Sequence, residues 1–211
     1  MKMLTGIVLR TLCLAVVTAP VVPVALGAAA PDSAKPCAEC HGEDGVSSEG
    51  EIPTIAGASA FFIENQLLIY KEEARPCAKE EFDEAEDPPA DDHCALANEL
   101  SEEEVMELAE YFSSQAFVPA DQAVDQELAE LGERIHERRC DKCHSEGGSL
   151  VLDDAGILAG QWKEYLLTQL RHYKAGERWQ PEKMKPQMEE LSDNEIKALA
   201  EYYVSQGEKR F

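Results

Sequence analysis

Apolar residues recur at spacings of three and four along much of this chain, which is the pattern of helices with one buried face. Two such stretches follow strings that begin at Ser101 and Ser192, each with a Glu three residues later. This arrangement is typical of a capping box at a helix N-terminus. Other helices are predicted at 62–70, 128–135 and 165–173. No stretch alternates convincingly in the manner of a β-strand, so the pattern predicts an all-α protein.

The helical pattern occurs twice because the chain repeats itself at a constant offset of 103 residues. The matching pairs are Cys37 and Cys140, Ala56 and Ala159, Gln66 and Gln169, Tyr70 and Tyr173, and Arg75 and Arg178. So many matches without a gap indicate the duplication of one domain. From Leu100, which matches Leu191, the offset is 91, so the first half carries twelve extra residues.

The repeat divides the chain into two predicted domains. The first spans residues 30–118 and the second spans 126–211, with a linker at 119–125. The extra residues of the first half form a predicted acidic loop at 76–94. Each half has about 90 residues, which is small for an unaided core, so a buried cofactor would add apolar volume.

Residues 1–29 are predicted to be a secretory signal peptide. Lys2 and Arg10 supply positive charge, an apolar run follows at 11–26, and small residues end the segment. An uncleaved membrane anchor is the alternative, but two prolines interrupt the run and no later apolar span follows. We therefore expect export to the periplasm, with no membrane insertion after signal cleavage.

The chain is strongly acidic, with 42 Asp and Glu against 19 Lys and Arg, and a formal net charge of −23. Nucleic acid is therefore excluded as a partner, because phosphate binding needs a basic face. The charge either steers basic redox partners or reflects adaptation to a salty or alkaline habitat. The even spread of acidic residues favours adaptation.

Two Cys-x-x-Cys-His strings carry the candidate chemistry of the chain. They consist of Cys37, Cys40 and His41 in the first half and of Cys140, Cys143 and His144 in the second. This string is the attachment signature for c-type haem, because two thiols reach the vinyl groups of one porphyrin while the adjacent His reaches its iron. Two copies behind an export signal predict two covalently attached haem c groups. Zinc binding or dithiol chemistry without haem is the alternative.

Cys77 and Cys94 are left over once the four haem cysteines and the cysteine of the signal segment are set aside. In an oxidising compartment such a pair predicts a disulfide, here one that closes the inserted loop. Free thiols, or a thiolate ligand to iron, are the alternatives.

Residues 33–208 resemble the diheme class I cytochromes c. The similarity is carried by the two haem strings and by the segments 55–75 and 158–178. It extends to the diheme cytochromes of the c-four type and to the cytochrome subunit of flavocytochrome c sulfide dehydrogenase, which segment 131–148 favours. The resemblance implies two tandem cytochrome c domains, each wrapped around one covalently bound haem.

The resemblance also implies the iron ligands. His41 and His144 are the expected proximal ligands, and a Met before the last helix is the expected distal one. In the second half that residue is Met184, with Met188 as a competing candidate that we assign to the core. In the first half the corresponding position holds His93, which is either a distal ligand or an exposed residue of an acidic loop. Since thioether ligation raises the haem potential, two imidazoles predict a lower potential for the first haem.

Four further residues are open to two interpretations each. Arg75 and Arg178 either bind haem propionates or form surface salt bridges. His136 and His172 are expected on helix surfaces or against propionates rather than on iron.

The predicted function is electron transfer. The favoured hypothesis is the haem subunit of a flavocytochrome c sulfide dehydrogenase, which passes electrons from an FAD-containing flavoprotein to a soluble cytochrome or oxidase. In that case the chain is not catalytic by itself. The alternative is a free diheme carrier of the c-four type. A third hypothesis, a haem enzyme, needs an open iron or one bound by Cys94.

Overall fold

The computed structural model describes residues 29–77 and 92–211, and every regular element within them is helical. The prediction of a signal peptide falls almost wholly on residues outside this part, as does most of the acidic loop. None of the described helices is long and apolar enough to cross a membrane. The predicted all-α class is confirmed.

Within residues 29–77 and 92–211, four helices belong to the first half and six to the second. The first four are α1 (Lys35–His41), α2 (Ala60–Lys71), α3 (His93–Glu99) and α4 (Glu102–Ser113). The others are α5 (Gln126–Arg139), α6 (Ser145–Gly148), α7 (Lys163–Ala175), α8 (Lys185–Glu189), α9 (Asp193–Ser205) and α10 (Gly207–Arg210). Short 3₁₀ turns lie at Asp32–Ala34 and Val151–Asp153.

Side-chain caps fix where α4, α5 and α9 begin. Both predicted capping boxes form, at Ser101 with Glu104 and at Ser192 with Glu195, so two backbone donors are satisfied at each start. The predicted helix before the second haem string is α5, whose N-terminus is capped by Asp125.

The duplication is visible in matching backbone contacts. Gly57 donates to the carbonyl of Phe112 at 2.8 Å, and Gly160 donates to the carbonyl of Tyr203 at 2.9 Å. Both glycines have positive φ, 71° and 72°, a conformation that side chains disfavour. Each bond ties the loop after a haem string to the last long helix of its own half.

Each half has its own apolar core. In the second half, α5 crosses α9 so closely that a Cβ on Gly132 would lie 2.0 Å from the carbonyl oxygen of Ala198. Ile135 and Leu199 are almost fully buried at this crossing. The first half is centred on Leu108 and Phe112 of α4. A pair of small domains is what the repeat predicts, although their limits stay a prediction.

Direct hydrogen bonds join the two halves. Thr54 and Gln161 exchange two of them, since the Thr54 amide donates to the Gln161 side chain at 2.9 Å and the Gln161 side chain donates back at 2.8 Å. The Trp162 indole donates to the carbonyl of Ser47. The predicted linker runs along the second half, where Ala120 donates to the carbonyl of Gly160. Because Thr54 and Gln161 are both buried, the junction between the halves is a fixed interface rather than a flexible hinge.

Candidate haem-binding sites

The first Cys-x-x-Cys-His string lies on α1. Its thiols, Cys37 and Cys40, are not joined in a disulfide, and His41 is 8 % exposed. The His41 Nδ1 donates to the carbonyl of Pro53 at 2.8 Å, which leaves Nε2 as the metal-facing nitrogen. Burial, with a smaller contribution from the nearby His93, lowers the pKa of His41 to about 4, so the ring is neutral at neutral pH.

The second string begins where α5 ends. Cys140 is the C-terminal cap of that helix, and neither Cys140 nor Cys143 is in a disulfide. Burial also lowers the pKa of His144 to about 4. Its Nδ1 is buried and has no hydrogen-bond partner among the residues that the structure describes, in contrast to that of His41. Both histidines thus offer a lone pair in a buried setting, as an iron ligand must.

His93 lies at the start of α3, opposite His41. The two ring centres are 6.1 Å apart and the ring planes make an angle of 75°. Two imidazoles that bind one iron from opposite sides, with metal–nitrogen distances of about 2 Å, place their ring centres roughly 6 Å apart. The His93 ring also stacks on Tyr70, 4.7 Å away. The separation fits a shared iron, and the side chain is half-buried rather than exposed.

The Cys77–Cys94 disulfide is present, with sulfur atoms 2.09 Å apart, so this prediction is confirmed. It leaves neither sulfur as a free thiol or a thiolate ligand, and both alternatives are wrong. Cys77 also positions the start of α3 through its backbone, since the His93 amide donates to the carbonyl of Cys77 at 2.7 Å.

The two candidate methionines of the second half have different surroundings. Met184 is the N-terminal cap of α8 and lies half-buried beside the second core. Met188 is 4 % exposed and belongs to that core, as predicted. Ligation by Met184 stays a prediction.

Arg75 and Arg178 are buried at the junction, so surface salt bridging is wrong for both. Arg75 donates to Gln66 at 2.7 Å and to Gln169 at 3.2 Å. Arg178 donates to the same two oxygens. We call these four residues the Arg–Gln quartet. The sequence alone did not predict that Gln66 and Gln169 bind these arginines. The only signal was that both halves of the repeat have a glutamine at this position.

The quartet leaves positive charge without a counter-ion in the described part of the chain. The Nε atoms of Arg75 and Arg178 are buried and have no hydrogen-bond partner there. The guanidiniums lie instead over the rings of Tyr70 and Tyr173. Burial alone would raise the pKa of Tyr165, but the two arginines outweigh it and lower this pKa. Such donors fit an anion, and a haem propionate has the right chemistry.

His136 and His172 are 1 % and 8 % exposed, so their expected place on helix surfaces is wrong. The His136 Nδ1 lies 3.2 Å from the Tyr203 hydroxyl, and its Nε2 lies 3.4 Å from Asp141. Burial lowers the pKa of His136.

Comparison with known proteins agrees with this geometry. A family model described as cytochrome C oxidase, cbb3-type, subunit III matches residues 127–202. The chain is 28% identical to cytochrome c4 of Azotobacter vinelandii, over 83% of this chain and 86% of the relative. It is 31% identical to a thiosulfate dehydrogenase electron acceptor of Stutzerimonas stutzeri (strain A1501), over 84% of this chain and 82% of the relative. The chain belongs to the diheme cytochrome c4-type family.

The solved structure of reduced recombinant cytochrome c4 from Pseudomonas stutzeri matches the fold with a TM-score of 0.67. It is 26% identical and covers 85% of this chain and 99% of its own. As a c4-type cytochrome, the protein is an electron-transfer protein with two covalently bound haem c groups, so these predictions are confirmed. The flavoprotein partner stays a prediction.

Proposed function

We propose that this protein is a free periplasmic electron carrier. It would take electrons from a redox enzyme and deliver them to an oxidase or a soluble cytochrome. The c4 cytochromes and the thiosulfate dehydrogenase electron acceptor, each matched over most of its length, support this proposal. The observation that carries it is the pair of duplicated haem strings held at one bonded junction.

In this proposal the first haem is attached through Cys37 and Cys40. His41 is its proximal ligand and His93 its distal ligand. Each bound haem supplies an iron that alternates between two oxidation states and so stores one electron. The bond from His41 to Pro53 fixes the orientation of the ring, while burial keeps the ring neutral.

Cys140 and Cys143 would attach the second haem, and His144 and Met184 would bind its iron. Because a thioether raises the potential relative to an imidazole, this ligand set would make the second site the stronger oxidant. The difference between Met184 and His93 would thus favour electron transfer from the first half to the second.

The Arg–Gln quartet holds the two sites at a fixed separation. Its side chains are shared between both halves, and the paired bonds of Thr54 and Gln161 reinforce the same junction. Two buried Nε donors remain for propionate oxygens. Pairing those carboxylates with the guanidiniums would reduce the negative field at the iron and so raise the haem potential.

Export supports the periplasmic assignment. The disulfide between Cys77 and Cys94 belongs in an oxidising compartment, and residues 1–29 have the composition of a signal peptide. A tag-free fractionation with a periplasmic marker enzyme tests this point.

The second candidate function is the haem subunit of a flavocytochrome c sulfide dehydrogenase, which the resemblance of segment 131–148 favours. Gentle native purification, followed by a flavin assay and by addition of sulfide, separates the two. A flavin-free diheme protein that sulfide does not rapidly reduce supports the free carrier. A co-purifying flavoprotein with sulfide-dependent haem reduction overturns it in favour of the subunit.

A further inference from the structure

Large apolar side chains are exposed at two places beside the junction. Phe61 and Leu68 are 61% and 51% exposed, and their spacing of seven puts them on one face of α2. The turn Val151–Asp153 and the residue before it expose Leu150, Val151 and Leu152, the last at 85%. We call these five residues the apolar rim.

The internal repeat provides a control for this observation. The positions that correspond to the rim in the other half are polar or charged: Glu164 and Arg171 for α2, and Ser47, Ser48 and Glu49 for the turn. Since the backbone is duplicated, folding alone does not require apolar residues at these positions. The apolar character of the rim is therefore a property of this surface and is not required by the fold of the domain.

Both parts of the rim lie at the same helix–loop contact. The ring of Phe62, next to Phe61, packs on Gly156, since a Cβ there would be 2.7 Å from the ring carbon Cζ. The start of α2 thus touches the loop that carries the turn. The polar counterparts lie at the reciprocal contact, where the Tyr165 amide donates to the carbonyl of Gly50.

The rim borders the second candidate haem site. The amide and hydroxyl of Ser145, next to His144, are hydrogen-bonded to the carboxylate of Asp153, which fastens the turn to the second haem string. A partner that covers the turn therefore lies beside the second haem string.

We propose that the apolar rim is the docking surface for a basic redox protein with an apolar centre. This rests on the proposed carrier function and names the class of its partner. Acidic residues surround the apolar ones: Glu64 and Glu72 lie four residues either side of Leu68, and Glu146 and Asp154 flank the turn. Such a mixture favours an apolar contact ringed by opposite charges. The net charge of −23 disfavours a second copy of this chain as the occupant.

The test is electron exchange with a protein probe and with a small probe. The reduced diheme protein is mixed in a stopped-flow instrument with an oxidised basic class I cytochrome c, and separately with tris(1,10-phenanthroline)cobalt(III), a small oxidant of higher potential. The variants are Phe61→Gln and Leu152→Gln, which keep the charge unchanged. Met106→Gln is the matched control, because Met106 is 55% exposed and lies on α4, which carries no residue of the rim.

We expect each rim variant to lower the second-order rate constant with the protein probe about tenfold, and the Phe61→Gln/Leu152→Gln double variant to lower it further. The control should change it by less than twofold, and no variant should change the rate with the small probe. Equal effects of rim and control variants would overturn the proposal, as would a parallel loss with the small probe. A dimer in sedimentation that Phe61→Gln disperses would assign the rim to a second copy. Failure of the unmodified protein to exchange electrons with either probe would count against the carrier function itself.

Discussion

The guanidinium of Arg178 donates a hydrogen bond to the side-chain oxygen of Gln66, 2.6 Å away, across the junction of the two halves. Arg75 makes the reciprocal bond to Gln169. Each glutamine oxygen therefore accepts from one arginine of its own half and from one of the other half. Separating the halves would leave each oxygen with one donor fewer.

Removing one of these acceptors should destabilise the protein. In Gln66→Leu the buried donors of Arg75 and Arg178 lose an oxygen, so we expect the free energy of unfolding to fall by about 1–3 kcal/mol. Urea denaturation measures the change. The exposed Gln126 provides the matched control, and Gln126→Leu should change stability by less than about 0.5 kcal/mol. Equal losses in the two variants would show that the quartet does not stabilise the junction.

Substitution of His93 tests whether this residue is the distal ligand of the first haem. His93→Met should raise the potential of the first haem by on the order of 0.1 V, because a thioether replaces an imidazole. Spectroelectrochemical titration resolves the two haems, and low-temperature EPR reports their ligands. His136→Gln is the control, since His136 is a histidine of the second half that faces Tyr203 and not the first haem string. An EPR spectrum of the unmodified protein with two His/Met haems would contradict the assignment.

Met184 and Met188 provide the corresponding pair in the second half. Met184→His should lower the potential of the second haem and abolish the absorption band of the iron–sulfur bond near the red edge of the spectrum. Met188→Leu conserves a core volume, so it should cost less than about 1.5 kcal/mol of stability and leave both potentials unchanged. If Met188→Leu removes the band instead, the ligand is Met188.

The disulfide should stabilise the first half specifically. Cys77 and Cys94 are 17 residues apart, and opening such a loop with the double Cys→Ser variant should cost about 3 kcal/mol in the chain-entropy treatment. Because Cys77 also holds the backbone of His93, the spectrum of the first haem should change while that of the second stays the same. A shift in both haems would indicate a global effect and would contradict this local role.

The buried His136 predicts a pH dependence of stability. Burial lowers its pKa below the usual value of 6.5, so below that pH the unfolded chain binds a proton that the folded chain does not. Stability from this residue is complete above pH 6.5 and is lost as pH falls through the lowered pKa. His136→Gln should therefore flatten the decline in unfolding free energy between about pH 7 and 5. An unchanged slope would show that His136 does not titrate on unfolding.

The helices were predictable where local rules decide. The capping boxes at Ser101 and Ser192 satisfy backbone donors within three residues, so their sequence alone determines the helix start. The disulfide was predictable by elimination, because export leaves only Cys77 and Cys94 unassigned. The short helix α3 was not predicted, since it depends on the cap at Asp92 and on the disulfide beside it.

Burial of polar side chains was not predictable from local pattern. Arg75 and Arg178 stayed open between propionate binding and surface salt bridges because the sequence does not show that a glutamine about a hundred residues away lies beside each of them. His136 shares this limitation, since its position on α5 is buried only by the crossing of α9. The opposite case is Trp179. It is 51% exposed, although a large aromatic residue is expected in the core.

The double hydrogen bond between Thr54 and Gln161 joins residues that are 107 positions apart. Most other contacts of each half lie within that half, so each half can form early and quickly. The Gln161 side chain, however, is satisfied only after the second half has been synthesised and has docked. The backbone groups of Thr54 therefore meet their partner only once both halves are in place, so docking of the halves comes late in assembly.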